Sequence, residues 1–401
     1  MHSGRQDTVT PAGLACVGGP SASEATARLR QLGQSIWLDA IDRNLMASGE
    51  LARLIQTAHV AGLTSNPAIF QKAMAGPDYR ADMARLRRSG SSAHQVYEAL
   101  AIADVQAAAD RFRDLHEQTA GRDGLVSLEV SPALAHDAQS TLVEARRLWA
   151  ALDRPNAMIK VPGTPAGVVA IETLIAEGIP VNVTLLFACD AFDAVAEAYL
   201  RGLERRLAAG QAIDRIASVA SFFVSRIDTR VDAELDRIAA SVPDHHGETA
   251  TSSGAFGRAA ILALRGKAAI ANARLAYASA LERAASPRWA RLAAAGARPQ
   301  RLLWASTSCK NPAYRDVVYV ESLAGRDTVN TVPPATLAAF VDHGVVGTVL
   351  TGEVDEARDL MARLAAVGID FDAVTRQLLE EGLRQFSEAF AALIATVEQA
   401  A

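Results

Sequence analysis

LVSLEVSPALAHDAQSTLVEARRLWAALDRPNAMIKVPG, residues 125–163, reads as one strand–helix–strand unit. Its ends, LVSLEVS (125–131) and AMIKVPG (157–163), are short runs dominated by apolar residues. The Ala-, Leu- and Arg-rich segment between them has helical periodicity. A strand that returns through a helix to a second strand pairs with it in parallel, through a right-handed crossover. The rhythm extends both ways. SIWLDA (35–40) and GLTSNP (62–67) come before, and IPVNVTLLF (179–187), IASVASFFVSRI (216–227), RLLWAST (301–307) and DVVYVESL (316–323) come after. Eight such strands predict an α/β fold of the (β/α)8 TIM barrel type. An open doubly wound sheet is the rival, but no strand is followed by GxGxxG or a P-loop.

Around the barrel, expected over residues 31–345, the chain is read as a flexible N-terminal lead over 1–30 and C-terminal helices over 346–401 packing on the barrel. The lead lacks the continuous apolar core of a signal peptide. SVPDHHGETATSSGAFG, within 228–257, reads as a polar surface excursion before a long helix at about 256–296. FDAVTRQLLEEGLRQFSEAFAALIATVEQA (371–400) is an amphipathic helix that could lie over the barrel mouth.

Composition narrows the function. A net charge of −5 carries no nucleic-acid signature. No apolar run approaches the ~20 residues of a membrane span. Cys16, Cys189 and Cys309 are odd in number and lack CxxC spacing, which points to a reducing compartment and a cytoplasmic enzyme. His245 and His246 have no carboxylate or cysteine at ligand spacing, so no metal is expected.

Polar residues gather at the C-terminal ends of the strands: Asp39, Thr64, Ser65, Asn66, Glu129, Lys160, Asn182, Thr184, Ser221, Arg226 and Ser306. In a barrel those ends form the active-site mouth. Lys160 stands out, because lysine occurs only at 72, 160, 267 and 310 among 40 basic residues. Flanked by Met158, Ile159, Val161 and Pro162, its amine is costly to bury charged. A neutral amine attacks carbonyls and forms Schiff bases; the plainer reading is a lysine that snorkels to water or pairs with a carboxylate. Asp39 and Glu129, acidic residues in apolar strands, could divide the proton transfers such chemistry needs, or merely pair with a base. Asn182 and Thr184 share one strand face by the period of two, as site groups or as satisfied core groups. Arg226 just after a strand can fork onto a phosphate, or pair with Asp228 or Asp232. STSCKNP (306–312) offers the Ser306 hydroxyl, backbone N–H groups and Lys310 where barrels often bind phosphate; Lys310 could equally be a solvated loop residue.

TSNPAIF, SLEVSPALAHD, MIKVPGTPAG, NVTLLF and SFFVSRID, in this order, resemble the successive strand motifs of transaldolases, and the chain is most similar to the longer bacterial type. The resemblance implies a metal- and cofactor-free Schiff-base transfer of a dihydroxyacetone unit in the pentose phosphate pathway. Sedoheptulose 7-phosphate or fructose 6-phosphate would be the donor and an aldose phosphate the acceptor, with the enzyme a monomer or homodimer. By the same resemblance Lys160 attacks the C2 ketone, and Asp39 takes the C4 hydroxyl proton as the C3–C4 bond breaks. Glu129 shuttles protons through a water held by Thr184. Asn66 and Asn182 hold substrate hydroxyls, and Ser221 lines the pocket. An aldolase releasing free dihydroxyacetone shares the Schiff-base set; Glu129 favours the transferase, since tyrosine or glutamine there would suit the lyase. A non-catalytic sugar-phosphate-binding barrel is the remaining alternative and would not need an amine facing two carboxylates.

Overall fold

The computed structural model describes residues 22–242, 256–347, 350 and 353–399. Eight strands run β1 Ser35–Asp39, β2 Val60–Thr64, β3 Leu125–Glu129, β4 Ala157–Pro162, β5 Val181–Leu186, β6 Ser218–Phe223, β7 Arg301–Ala305 and β8 Val329–Val332. They pair in parallel and in sequence order into a closed barrel, β8 returning to β1, with helices in the connections. The (β/α)8 expectation is met. Among the described residues no helix is long and apolar enough to cross a membrane.

The eighth strand lies elsewhere than expected. DVVYVESL is not a strand: Val318–Glu321 is a short helix, and β8 is the four-residue VNTV further on. The β-branched run at 316–323 imitates a strand. Its buried residues, however, include Val317, Val320, Leu323 and Ala324, spaced by three and four, which is one face of a helical path. The Tyr319 hydroxyl anchors that path by donating to Asp228.

Three further boundaries differ. The long helix at 256–296 is three pieces, Arg258–Leu262, Ala268–Ala284 and Pro287–Ala294. The breaks fall at Gly266, with φ +68°, and at Ser286, whose side chain caps the third piece by accepting from Trp289 N–H. Part of the lead expected over 1–30 is the helix Ala22–Gln31, because Leu29 is an apolar anchor buried in the core. The helical C-terminal region divides into Val354–Ala366 and Phe371–Gln399 at Gly368, φ +98°. His245 and His246, part of the polar excursion and Cys16 lie outside the described residues.

The N-terminal end of the barrel is closed by a buried ion pair. Arg301 on β7 donates to Asp123 Oδ1 at 3.0 Å, to Ser35 Oγ at 2.9 Å and to the Arg122 carbonyl. Ser35 in turn donates to Asp123 Oδ2. A buried charge is tolerable when its hydrogen bonds are met in this way. Above the pair lies the Trp37 indole, 5.9 Å from the Arg301 guanidinium. Trp37 occupies the room that Gly62 leaves on β2, where a Cβ would stand only 2.6 Å from the ring. The bottom of the barrel is thus packed around a hydrogen-bonded ion pair, leaving the opposite end for chemistry.

Gly62→Ala is therefore expected to destabilise the fold by about 1–3 kcal/mol, the usual range for overpacking a core. Urea unfolding measures this; a change within about 0.5 kcal/mol, typical of a surface site, would contradict the packing.

Candidate active site

β3, β4 and β5 set three side chains in register. Glu129 lies opposite Lys160, and Lys160 opposite Asn182. Alternation turns all three into the barrel. Lys160 is 5 % exposed and Glu129 7 %. The Lys160 Nζ donates to the Ser65 carbonyl at 2.9 Å and stands 3.3 Å from Glu129 Oε2. Ser65 is held in place because its hydroxyl donates to the Ser127 carbonyl. Burial pushes the Glu129 carboxyl up to about 7; nearby Lys160 opposes the rise and Asp39 adds to it. Both Glu129 oxygens lack a hydrogen-bond partner, as does the buried Thr184 hydroxyl. Unmet buried acceptors of this kind mark a place for water or a ligand. A cavity of about 130 Å³, lined in part by Glu129, Ser131, Glu144, Tyr97 and Phe390, lies beside Glu129.

Asp39 ends β1 and is half-buried. Its Oδ1 accepts from Thr64 Oγ1 at 2.6 Å, and that hydroxyl lies 2.7 Å from Thr331 Oγ1. Burial raises the Asp39 carboxyl, against the pull of Lys160 and the Thr64 hydrogen bond. The two carboxylates therefore flank the amine with different partners. Asp39 has one oxygen fixed by a hydroxyl, and Glu129 has only the ammonium.

The expected substrate-contacting residues fare unequally. Asn182 is fully buried and bridges two strands, its Nδ2 donating to Ser127 Oγ at 2.9 Å and its Oδ1 accepting from Ser221 Oγ at 2.7 Å. Ser221 is thus committed to Asn182. Asn66 caps the helix Pro67–Met74, its Oδ1 accepting from Ile69 N–H at 3.0 Å; its amide NH2 is left for other use. Arg226 sits in the first turn of Ser225–Ser241, half-buried, with its guanidinium 5.5 Å from the Phe223 ring. Burial lowers its pKa while Glu381 opposes the fall. It makes no pair with Asp228 or Asp232. Asp228 accepts from Ala269 N–H and Tyr319, and Asp232 from Gly266 N–H and Tyr314. Ser306, with φ +55°, lies 3.1 Å by its hydroxyl from that of Ser225, which brings it to the start of the Arg226 helix. Lys310 is exposed and, among the described residues, donates only to Ser308, at 2.7 Å.

Sequence reasoning placed Ser65 in the polar mouth without a partner and did not single out Ser127 or Thr331; these residues hold the site residues. It also passed over the C-terminal helix as a source of site residues. Phe371–Gln399 crosses the mouth and places the Phe386 ring 5.8 Å from Lys160 Nζ. One turn earlier is Gly382, where a Cβ would lie 2.8 Å from Leu185 and 3.7 Å from Arg226 Nη1. Leu185 itself has φ +60° at an irregularity of β5, a costly conformation for a leucine. Amphipathic spacing foretold the helix; nothing in a single sequence says which turn meets Lys160. Cys189 begins the helix Cys189–Ala208, and burial pushes its thiol up to about 12, so it stays protonated. Among the described residues no group of three His, Cys, Asp or Glu side chains could hold a metal ion.

The profile of the family described as Transaldolase/Fructose-6-phosphate aldolase matches residues 36–397. The chain is 49 % identical over 373 residues to a transaldolase of Thiobacillus denitrificans, covering 93 % of this chain and 99 % of the relative. It is 50 % identical over 368 residues to a transaldolase of Neisseria gonorrhoeae, covering 92 % and 97 %. To a transaldolase of Frankia alni it is 45 % identical over 379 residues, covering 94 % and 97 %.

The raised Glu129 carboxyl has a thermodynamic signature. Between the ordinary glutamate value of 4.5 and about 7, the folded chain keeps a proton that the unfolded chain has released. That contribution to stability is full below the unfolded value and is lost as pH rises through the folded one. Thermal unfolding across this window is expected to show a shallower fall with pH in Glu129→Gln than in the unsubstituted chain. Equal slopes would contradict the assignment.

Proposed function

Because the chain belongs to the transaldolase/fructose-6-phosphate aldolase family, we propose that it is a transaldolase, a transferase that moves a dihydroxyacetone unit between sugar phosphates through a Schiff base on Lys160. The observation that carries the reading is the Lys160 amine, almost closed from solvent, 3.3 Å from a carboxylate whose proton affinity burial has raised. The ammonium becomes a nucleophile by giving its proton to Glu129. A carboxyl titrating near 7 can take that proton and later return it.

The amine attacks the C2 ketone of the donor, sedoheptulose 7-phosphate or fructose 6-phosphate, to give a carbinolamine. Glu129 protonates the departing hydroxyl, through a water held at the unmet Thr184 hydroxyl, and the iminium forms. Asp39 removes the C4 hydroxyl proton, the C3–C4 bond breaks, and the aldose phosphate leaves. The electron pair stays on the three-carbon fragment as an enamine. The enamine carbon then attacks the aldehyde of the acceptor, and Asp39 returns its proton to the new alkoxide. Water adds to the iminium, and the carbinolamine collapses to ketose and free amine.

The remaining residues bind. Asn66 offers its free amide NH2 to a substrate hydroxyl. The Asn182–Ser221 pair, fixed in geometry, offers its remaining hydrogen-bonding capacity to the dihydroxyacetone fragment. Arg226, without an ion-pair partner and beside Ser306, takes the phosphate, with Lys310 reaching in from the loop. A half-buried guanidinium without a counter-ion is costly unless an anion completes it.

The proposal is tested with fructose 6-phosphate as donor. Product formation should depend on added erythrose 4-phosphate; acceptor-independent release of dihydroxyacetone would favour the lyase instead. Lys160→Arg keeps the charge but loses the nucleophile, so kcat should fall by more than about 10⁴-fold with unfolding unchanged. A substantial residual rate would sink the assignment of Lys160. Arg226→Gln should raise KM for the phosphorylated donor about 10- to 100-fold, the worth of a hydrogen bond to a charged group, and leave KM for unphosphorylated fructose unchanged. Equal effects on both sugars would remove Arg226 from the phosphate site.

A further inference from the structure

We propose that Phe386, on the C-terminal helix, is a specificity-determining residue: its ring roofs Lys160 and keeps water from the bound enamine, so that the three-carbon fragment is transferred rather than released. The inference rests on the Schiff-base reading above and adds to it a residue outside the barrel strands.

The geometry is the argument. The Phe386 ring centre is 5.8 Å from Lys160 Nζ, and the residue is only 6 % exposed. It is gripped from both sides along its own helix. One turn before, Gly382 lets the helix backbone close onto Leu185. One turn after, the Phe390 ring stands edge-on to Tyr97 at 5.3 Å, and Tyr97 stands edge-on to Phe70 at 5.9 Å. The ion pair of Glu381 with Arg230 ties the same stretch to the helix after β6. These contacts reach two helices that follow β2, the strand β5 itself and the helix that follows β6, so the ring lies across the mouth and is not a loose flap at its edge.

An enamine on Lys160 has two fates. In the productive one its carbon bonds to the acceptor aldehyde. In the other the same carbon takes a proton from water. The resulting iminium then adds water at C2, and the carbinolamine expels the amine and releases free dihydroxyacetone. The second route needs water at the enamine carbon; the first needs it excluded until the acceptor has reacted. The barrel groups closest to Lys160, Glu129 and the Ser65 carbonyl, are polar. Phe386 is an apolar face set against the amine, and that face also attracts the cationic iminium.

The test compares Phe386→Ala, which opens the roof, with Phe386→Leu, which keeps most of its bulk without the aromatic face. Full-length chains are given fructose 6-phosphate with and without erythrose 4-phosphate, and free dihydroxyacetone is measured against transferred product. In Phe386→Ala the ratio of release to transfer should rise on the order of tenfold or more, as expected when water enters an enclosed site. In Phe386→Leu it should stay within about twofold of the unsubstituted chain, since the apolar cover remains. Thermal unfolding reports that both variants are folded. An unchanged ratio in a folded Phe386→Ala overturns the roof, as does a Phe386→Leu that leaks as much as Phe386→Ala. An unsubstituted chain that releases dihydroxyacetone but shows no transfer at all overturns the transferase reading and, with it, this proposal.

Discussion

The structure is organised around an ammonium buried beside one carboxylate. Lys160 has two close polar contacts, Glu129 and the Ser65 carbonyl. A buried charge with so little support is unstable unless the proton can move. Burial has raised the carboxyl that faces it. The same desolvation that makes the pair costly raises the Glu129 carboxyl to about 7, which is what the proposed mechanism uses to take the proton of the amine. Most of the mouth serves this constraint. Asp39 is set apart from Glu129 by its hydroxyl partner, and the buried Thr184 hydroxyl is left unpaired, as the proposed division of proton transfers requires.

The barrel supplies the rigidity such a pair requires. Glu129, Lys160 and Asn182 are neighbours in three adjacent strands, so their spacing is fixed by backbone hydrogen bonds and not by flexible loops. At the other end, Arg301, Asp123 and Ser35 satisfy one another beneath Trp37. The two buried ion pairs contrast. The lower one is saturated with hydrogen bonds and inert, while the upper one is left short of them. Stability and reactivity are divided between the two ends of one fold.

Most of this was legible in the sequence, for a physical reason. Parallel strands buried on both faces are apolar runs, so a lysine or a glutamate inside one is conspicuous. That is how Lys160, Glu129 and Asp39 stood out. β8 escaped because VNTV is four residues long and half polar, while the β-branched helix at 318–321 imitated a strand. Asn66 could be read as a substrate ligand, but its role as a helix cap depends on a backbone N–H three residues on. The mutual hydrogen bond of Asn182 and Ser221 depends on strands brought together only by closure of the sheet. Phe386 was illegible as a site residue. Its place over Lys160 follows from the path of a helix more than 200 residues away in the chain, and no local pattern encodes that path.

The central claim is that Lys160 forms a covalent imine with the donor sugar. The scarcity of lysine makes the claim unusually direct to test, because only Lys72, Lys267 and Lys310 compete. The chain is incubated with fructose 6-phosphate, reduced with borohydride, and the adduct located by peptide mass spectrometry. The account predicts a single reduced three-carbon adduct on the peptide containing Lys160. No adduct, or an adduct on Lys72, Lys267 or Lys310 instead, would contradict it.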